Sequence, residues 1–187
     1  MATAHGLAHD RLNRVGKAKR DEVNQWREGV SLERRAQRTI ADLMVVVTTA
    51  RFQLAQQCRA DGNGLLNTNP PRFRAAVSRY YYAMYHAMRA CVYLSHGGDD
   101  HEAHVVLPQK VPGDFPATGW QATAGAPPSV DWQNKLKDAR AARNAADYDP
   151  LPASNSAWRK HALALRTDAG LFLRAARSYL RAKGCKL

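Results

Sequence analysis

The sequence predicts an all-α bundle of four to five helices. Three observations carry this. Four separate stretches place apolar residues at the three- and four-residue spacing of a helix face. No stretch alternates convincingly with period two. Clusters of Gly, Pro, Asn and Asp stand between the stretches as stop signals. With 187 residues, 45% of them hydrophobic and 24% charged, the composition is that of one globular domain with an appended arm.

Residues 1–37 read as a basic arm, partly helical or flexible, with few apolar anchors (Leu7, Leu12, Val15, Val23, Trp26). Ser31 is placed to cap the first bundle helix, with Glu33 against its positive end. Ile40, Leu43, Met44, Val47, Leu54 and Cys58 then keep helical spacing, and Asp61-Gly62-Asn63-Gly64 is expected to end the run. Val45-Val46-Val47 has strand propensity, but the longer helical period around it outweighs that local preference. Asn69-Pro70-Pro71 opens a helix over 72–95, whose apolar stripe is Phe73, Val77, Tyr80, Met84, Met88 and Cys91. Gly97-Gly98 closes it. Residues 97–130 lose periodicity and hold five of the twelve glycines, and 108–130 reads as an inserted Pro/Gly-rich loop. A third helix is expected over 131–147, broken by Asp149-Pro150-Leu151-Pro152. Ser154 or Ser156 caps the last helix, which carries Trp158, Ala162, Leu165, Ala169, Phe172, Ala176 and Tyr179 on one face and ends near Gly184. Burying one large apolar side chain is worth roughly 1.5–3 kcal/mol, so the four stripes are expected to pack together over residues 38–183.

The charge narrows the choice of partner. Lys and Arg number 28 against 16 Asp and Glu, a net charge of +12. The excess sits at the two ends, and the middle, 39–130, is nearly neutral. An acidic partner such as nucleic acid follows from this. Three scattered cysteines (Cys58, Cys91, Cys185) do not make a disulfide framework, which points to a reducing, cytoplasmic compartment. The longest apolar stretch, Leu43 to Val47, is far short of the roughly 20 residues a membrane span needs, and the N-terminus lacks the apolar core of a secretory signal. No membrane partner and no cofactor is expected.

Helix 72–95 has a second face. Arg79, Tyr82, His86, Arg89 and Tyr93 recur at spacings of three and four, within an arc of about 80° opposite the apolar stripe. Two arginines, a histidine and two tyrosines with no acid suit stacking and anion contact. The same pattern equally suits packing inside the bundle or at a dimer interface.

This helix carries a resemblance. Ser78-Arg79-Tyr80-Tyr81-Tyr82-Ala83-Met84-Tyr85-His86-Ala87 resembles the SRxYYAxxHA segment of the HEPN-domain superfamily, in particular its small stand-alone prokaryotic proteins. Arg143-Asn144-Ala145-Ala146-Asp147-Tyr148 resembles the later RxxADY segment of that branch, and His104 matches a histidine that often follows the first segment. The resemblance covers about 38–183; the arm and residues 108–130 lie outside it. It implies a HEPN-like bundle of four or five helices, commonly a homodimer, acting on RNA or nucleotides. Many members are metal-independent endoribonucleases, often toxins paired with a nucleotidyltransferase-fold antitoxin. Others are non-catalytic binding modules.

The superfamily's nuclease motif is Arg, four to six residues, then His. Arg143 and Asn144 match its start, but Tyr148, Asp149 and Pro150 stand where the histidine belongs. Metal-free RNA cleavage needs a group to accept the 2′-OH proton and one to protonate the leaving oxygen, and Tyr, with a reference pKa of about 10, is a poor base. Arg143 is suited to stabilising phosphorane charge, although Arg143 and Asp147, four apart on one helix, also suit a simple ion pair. Arg79 and His86 repeat the motif's spacing on the other helix. If the two helices face each other, His86 supplies the missing imidazole. The candidate catalytic residues are thus Arg143, Asn144, His86, Arg79, Tyr148 and Asp147. His96, His101 and His104 lie in an acid-rich loop that is either solvated or a divalent-metal site; without a helical His-Glu-x-x-His motif, no metal is assigned.

On the last helix Arg159, Arg166, Arg174, Arg177 and Arg181 fall in an arc of about 80° with Asp168 the sole acid on the helix. With Arg89 and Tyr82 they are the candidate nucleic-acid contacts. Two classes of function stay open: a HEPN-like, toxin-type ribonuclease with a degenerate motif, or a non-catalytic module that binds RNA, a nucleotide or an antitoxin partner. A dimeric scaffold is the plainest alternative.

Overall fold

The computed structural model describes residues 17–101, 103–115, 130–150 and 154–187. Among these residues are five α-helices, one 3-10 turn and no strand: α1 (Arg20–Ala36), α2 (Ile40–Leu66), α3 (Phe73–His96), the turn Leu107–Lys110, α4 (Trp132–Tyr148) and α5 (Asn155–Ala182). The all-α expectation holds, including through Val45-Val46-Val47, which is helical. The apolar anchors Leu7, Leu12 and Val15 of the arm, most of the inserted loop (116–129) and Leu151-Pro152 lie outside the described residues. Among the described residues no helix is long and apolar enough to cross a membrane.

The chain divides into two units, Met1–Leu43 and Met44–Leu187. In the first, α1 starts where the Lys19 amide donates to Glu22 Oε2 at 3.0 Å. Trp26 and Val30 are exposed on it. Ser31 lies inside this helix and caps nothing, which corrects the sequence expectation. The break falls later, where Gln37 takes a left-handed conformation with φ 51°. Thr39 is the true cap of α2: the Asp42 amide donates to Thr39 Oγ1 at 3.1 Å, and the Thr39 amide donates back to Asp42 Oδ2 at 3.2 Å. That reciprocal box satisfies two helix-end donors, where an isolated Ser satisfies one.

The second unit is a four-helix bundle built on α3, 13 of whose 24 residues are buried. Successive helices run antiparallel. Asn63 of α2 meets Tyr80 of α3, while Arg51 at the other end of α2 lies 4.3 Å over the Tyr93 ring. Arg143 of α4 meets Tyr82, and Asp147 one turn on meets Ser78. Lys135 of α4 pairs with Asp168 of α5 at 2.8 Å, and Trp132 stands edge-on to Phe172 at 5.0 Å. Phe115 joins Trp132, Phe172 and Tyr179 to close one end of the core. Part of the expected loop is therefore structural: Leu107 and Phe115 are buried, and Asp114 pairs with Lys183 at 2.7 Å. At the other end Arg74 donates to the carbonyl oxygens of Ala146 and Asp149, a cation on the negative end of α4. Ser154 caps α5 by accepting from the Ala157 amide at 3.3 Å.

Asp61-Gly62-Asn63-Gly64 does not stop α2, which runs through to Leu66. The reason is tertiary. A Cβ on Gly62 would lie 2.8 Å from the Tyr80 ring, Asn63 Oδ1 accepts the Tyr80 hydroxyl at 2.9 Å, and Asp61 accepts from Gln57. Gly62 and Asn63 serve contacts to α3 and Asp61 one within α2, while Gly64 meets nothing within 4 Å. The three cysteines are free and buried, and burial raises the pKa of each thiol.

Candidate functional site

The Arg143 segment and the tyrosine segment come together because α3 and α4 pack antiparallel. Arg143 is held from three sides. Its Nη2 donates to the Tyr82 hydroxyl at 2.7 Å and its Nη1 to Asn144 Oδ1 at 3.1 Å. Its Nε lies 2.7 Å from Asp147 Oδ2, so the i,i+4 ion pair is real. Asp147 in turn accepts from Ser78 of α3. The guanidinium also lies 5.3 Å over the Tyr82 ring and 5.0 Å over that of Tyr148. Tyr148, in the position expected for histidine, is 70% exposed and lies against the Arg143 guanidinium.

Two imidazoles complete the cluster. His86 stacks on Tyr82 at 6.1 Å, one ring away from Arg143. Desolvation, with help from Arg89, His104 and Arg51, pulls its pKa down to about 4. His104, on the loop after α3, stacks face to face on Tyr85 at 4.1 Å and bonds through Nδ1 to the Tyr81 hydroxyl. Burial and the nearby Arg143 guanidinium lower its pKa as well. Both rings are therefore neutral near pH 7, able to accept a proton and not to donate the extra one. Burial raises the pKa of the Tyr81 hydroxyl, which keeps it protonated.

Chemically, the cluster offers a fixed guanidinium, neutral imidazoles and aromatic faces at one surface. It gathers Arg143, Asn144, Asp147, Tyr148, Tyr82 and His86. It does not gather Arg79, which is exposed and whose charge acts on Cys58 of α2 instead. Arg89 is half-buried and shares Asp99 with Arg51, which offsets much of its charge. The loop histidines separate: His96 and His101 meet edge to face at 5.1 Å, while His104 turns to the tyrosines. Among the described residues no three His, Cys, Asp or Glu side chains come together to hold a metal ion. Tyr81, Tyr85 and Ser78 were not singled out by spacing. Their signals were the SRxYYAxxHA segment, which contains Ser78 and Tyr81, and the spacing of four between Tyr81 and Tyr85, a second aromatic pair beside the Arg/Tyr stripe.

The arginines of α5 differ in their commitments. Arg181 donates to the backbone oxygen of Leu187, and Arg177 lies 5.8 Å over the Phe52 ring. Arg159, Arg166 and Arg174 are exposed. Asp168 is taken by Lys135, so it does not offset them.

No known family model and no curated protein matches the sequence.

Proposed function

We propose that this chain is a HEPN-like, RNA-acting protein whose Arg143 cluster performs metal-independent cleavage of a phosphodiester. The observation that supports this most is the hydrogen bond from Arg143 to Tyr82, which brings the RxxADY segment against the helix that carries His86. In this reading neutral His86 accepts the proton of an RNA 2′-OH as that oxygen attacks the adjacent phosphorus. Arg143 stabilises the charge that builds on the phosphorane oxygens. The exposed Tyr148 donates the proton that the departing 5′-oxygen takes up. The products are a 2′,3′-cyclic phosphate and a 5′-hydroxyl. An RNA phosphate beside His86 raises the pKa of its ring and makes it a stronger base than in the free protein.

The test is incubation of the purified protein with end-labelled single-stranded RNA in excess EDTA. Cleavage is expected to persist there and to fall by about 10²-fold or more in Arg143→Ala and in His86→Ala. The ion pair with Asp147 favours a second reading, because it keeps Arg143 partly neutralised. In that reading the chain is a non-catalytic module that holds RNA, a nucleotide or an antitoxin-type partner. RNA retained without cleavage, and released by Arg143→Ala, would select it. An RNA neither bound nor cut removes both.

A further inference from the structure

Three arginines meet on the side of α3 away from Arg143. Tyr80 and Tyr82 point about 200° apart on the helix; Tyr82 serves Arg143, and Tyr80 faces Asn63 of α2. Beside Asn63, Arg59 of α2 and Arg174 and Arg177 of α5 line a cleft of about 300 Å³ with Gln56 and Gly170. None of the three arginines has a carboxylate partner among the described residues; the ion pairs there run through Arg51, Arg89, Lys135, Arg143 and Lys183. The nearest acids along the chain, Asp61 and Asp168, are held by Gln57 and Lys135.

The packing brings these like charges together. A Cβ on residue 170 would lie 3.3 Å from Arg59 Nη2 and 3.8 Å from Arg174 Nη1, so the glycine is what lets two guanidiniums share one stretch of helix surface. Arg59 also leaves its Nε–H buried without a hydrogen-bond partner. Unpaired guanidiniums in one cleft repel, and a shared anion removes that repulsion. The neutral groups help: Asn63 Oδ1 accepts from Tyr80, which turns its amide NH₂ to other partners, and Gln56 adds a second amide. Planar guanidinium forks match the tetrahedral oxyanion of a phosphate.

We propose that this cleft is a phosphate-binding site, taking the phosphate of a nucleotide or of an RNA strand. It stands apart from the Arg143 cluster and does not need that cluster to be catalytic.

The test uses the full chain and two probes: inorganic pyrophosphate by titration calorimetry, and a fluorescein-labelled 12-nucleotide RNA by anisotropy. Three variants are compared with the wild type by circular dichroism and then by binding. Arg59→Gln and Arg174→Gln each remove a cation, and Gly170→Leu fills the cleft while keeping every charge. Lys137→Gln on α4 controls for the loss of one charge elsewhere. Each cleft variant is expected to weaken at least one probe tenfold or more, and Lys137→Gln less than twofold. Loss confined to pyrophosphate identifies a free nucleotide as the source, and loss confined to RNA identifies a strand. Arg174 is exposed on a helix, so Arg174→Gln is the variant that keeps the fold. The proposal fails if folded Arg174→Gln and Gly170→Leu both bind as the wild type does. It also fails if their losses match that of Lys137→Gln. The pyrophosphate arm contains no RNA, so its outcome is independent of the fate of the cleavage reading.

Discussion

His86 shows how one residue links packing, stability and chemistry. Its folded pKa, about 4, lies below the ordinary 6.5 of histidine. The unfolded chain therefore binds the extra proton at a higher pH than the folded chain does. Stability from this group is complete above pH 6.5 and is lost as pH falls from there toward 4. His104, lowered by burial and by Arg143, acts in the same direction. Urea midpoints measured between pH 7 and 4 are expected to fall for the wild type. The fall is expected to be shallower for His86→Phe, which keeps the stack on Tyr82 and removes the proton. An equal fall in both would remove His86 as the cause. The site was only partly legible at this scale. Arg143, Tyr82 and His86 announce themselves by residue type and spacing, and Arg143 meets Tyr82 as the facing of two helices requires. Arg79 has the same spacing credentials and stands apart. Spacing places a side chain on a face, and it cannot say which neighbour occupies that face.

At the scale of the element, α2 carries the sharpest contrast. Gly62 and Gly64 are two residues apart and read alike in the sequence. A methyl on Gly62 meets the Tyr80 ring at 2.8 Å, whereas a methyl on Gly64 meets nothing within 4 Å. Gly62→Ala is expected to cost about 1–3 kcal/mol through overpacking against a gain of roughly 1 kcal/mol in helix propensity, a net destabilisation of up to about 2 kcal/mol. Gly64→Ala is expected to stabilise by up to about 1 kcal/mol. Denaturant midpoints check both, and equal effects would contradict the packing. The same helix shows where sequence reading runs out. The length of α3, with Gly97 left-handed at its end, and the Ser154 cap of α5 follow from local rules that the structure keeps. The end of α2 does not, because Asn63 and Gly62 obey a tyrosine seventeen and eighteen residues away. Its start does not either, for a different reason. The Thr39–Asp42 box was present in the sequence, but Ser31 offered an earlier and weaker cap.

For the whole molecule, the net charge of +12 resolves into spent and unspent parts. Arg51 and Arg89 share Asp99, Lys135 holds Asp168, Lys183 holds Asp114, and Arg143 holds Asp147. Among the described cations left without a carboxylate partner, Arg159, Arg166 and Arg174 stand exposed along α5, with Arg59 beside Arg174. If RNA lies along this helix, the double variant Arg166→Gln/Arg174→Gln flattens the slope of log K against log salt by about 0.7 per lost contact. An unchanged slope would move the RNA elsewhere. The charge map was legible as a stripe from the helical spacing of the arginines. Its depth was not, because Gly170, a residue without a side chain, decides how closely the arginines approach. The buried thiols have one more consequence. A sealed thiol reacts with an alkylating reagent only when its surroundings open, so Cys58, Cys91 and Cys185 are three built-in clocks on one chain. Cys185 sits in the tail just beyond α5, where its amide donates to the Leu180 carbonyl, and Cys91 is fully buried on α3, the helix the bundle is built on. Mass-resolved labelling over time would therefore report, without any engineered probe, the order in which the bundle comes apart: tail first, central helix last.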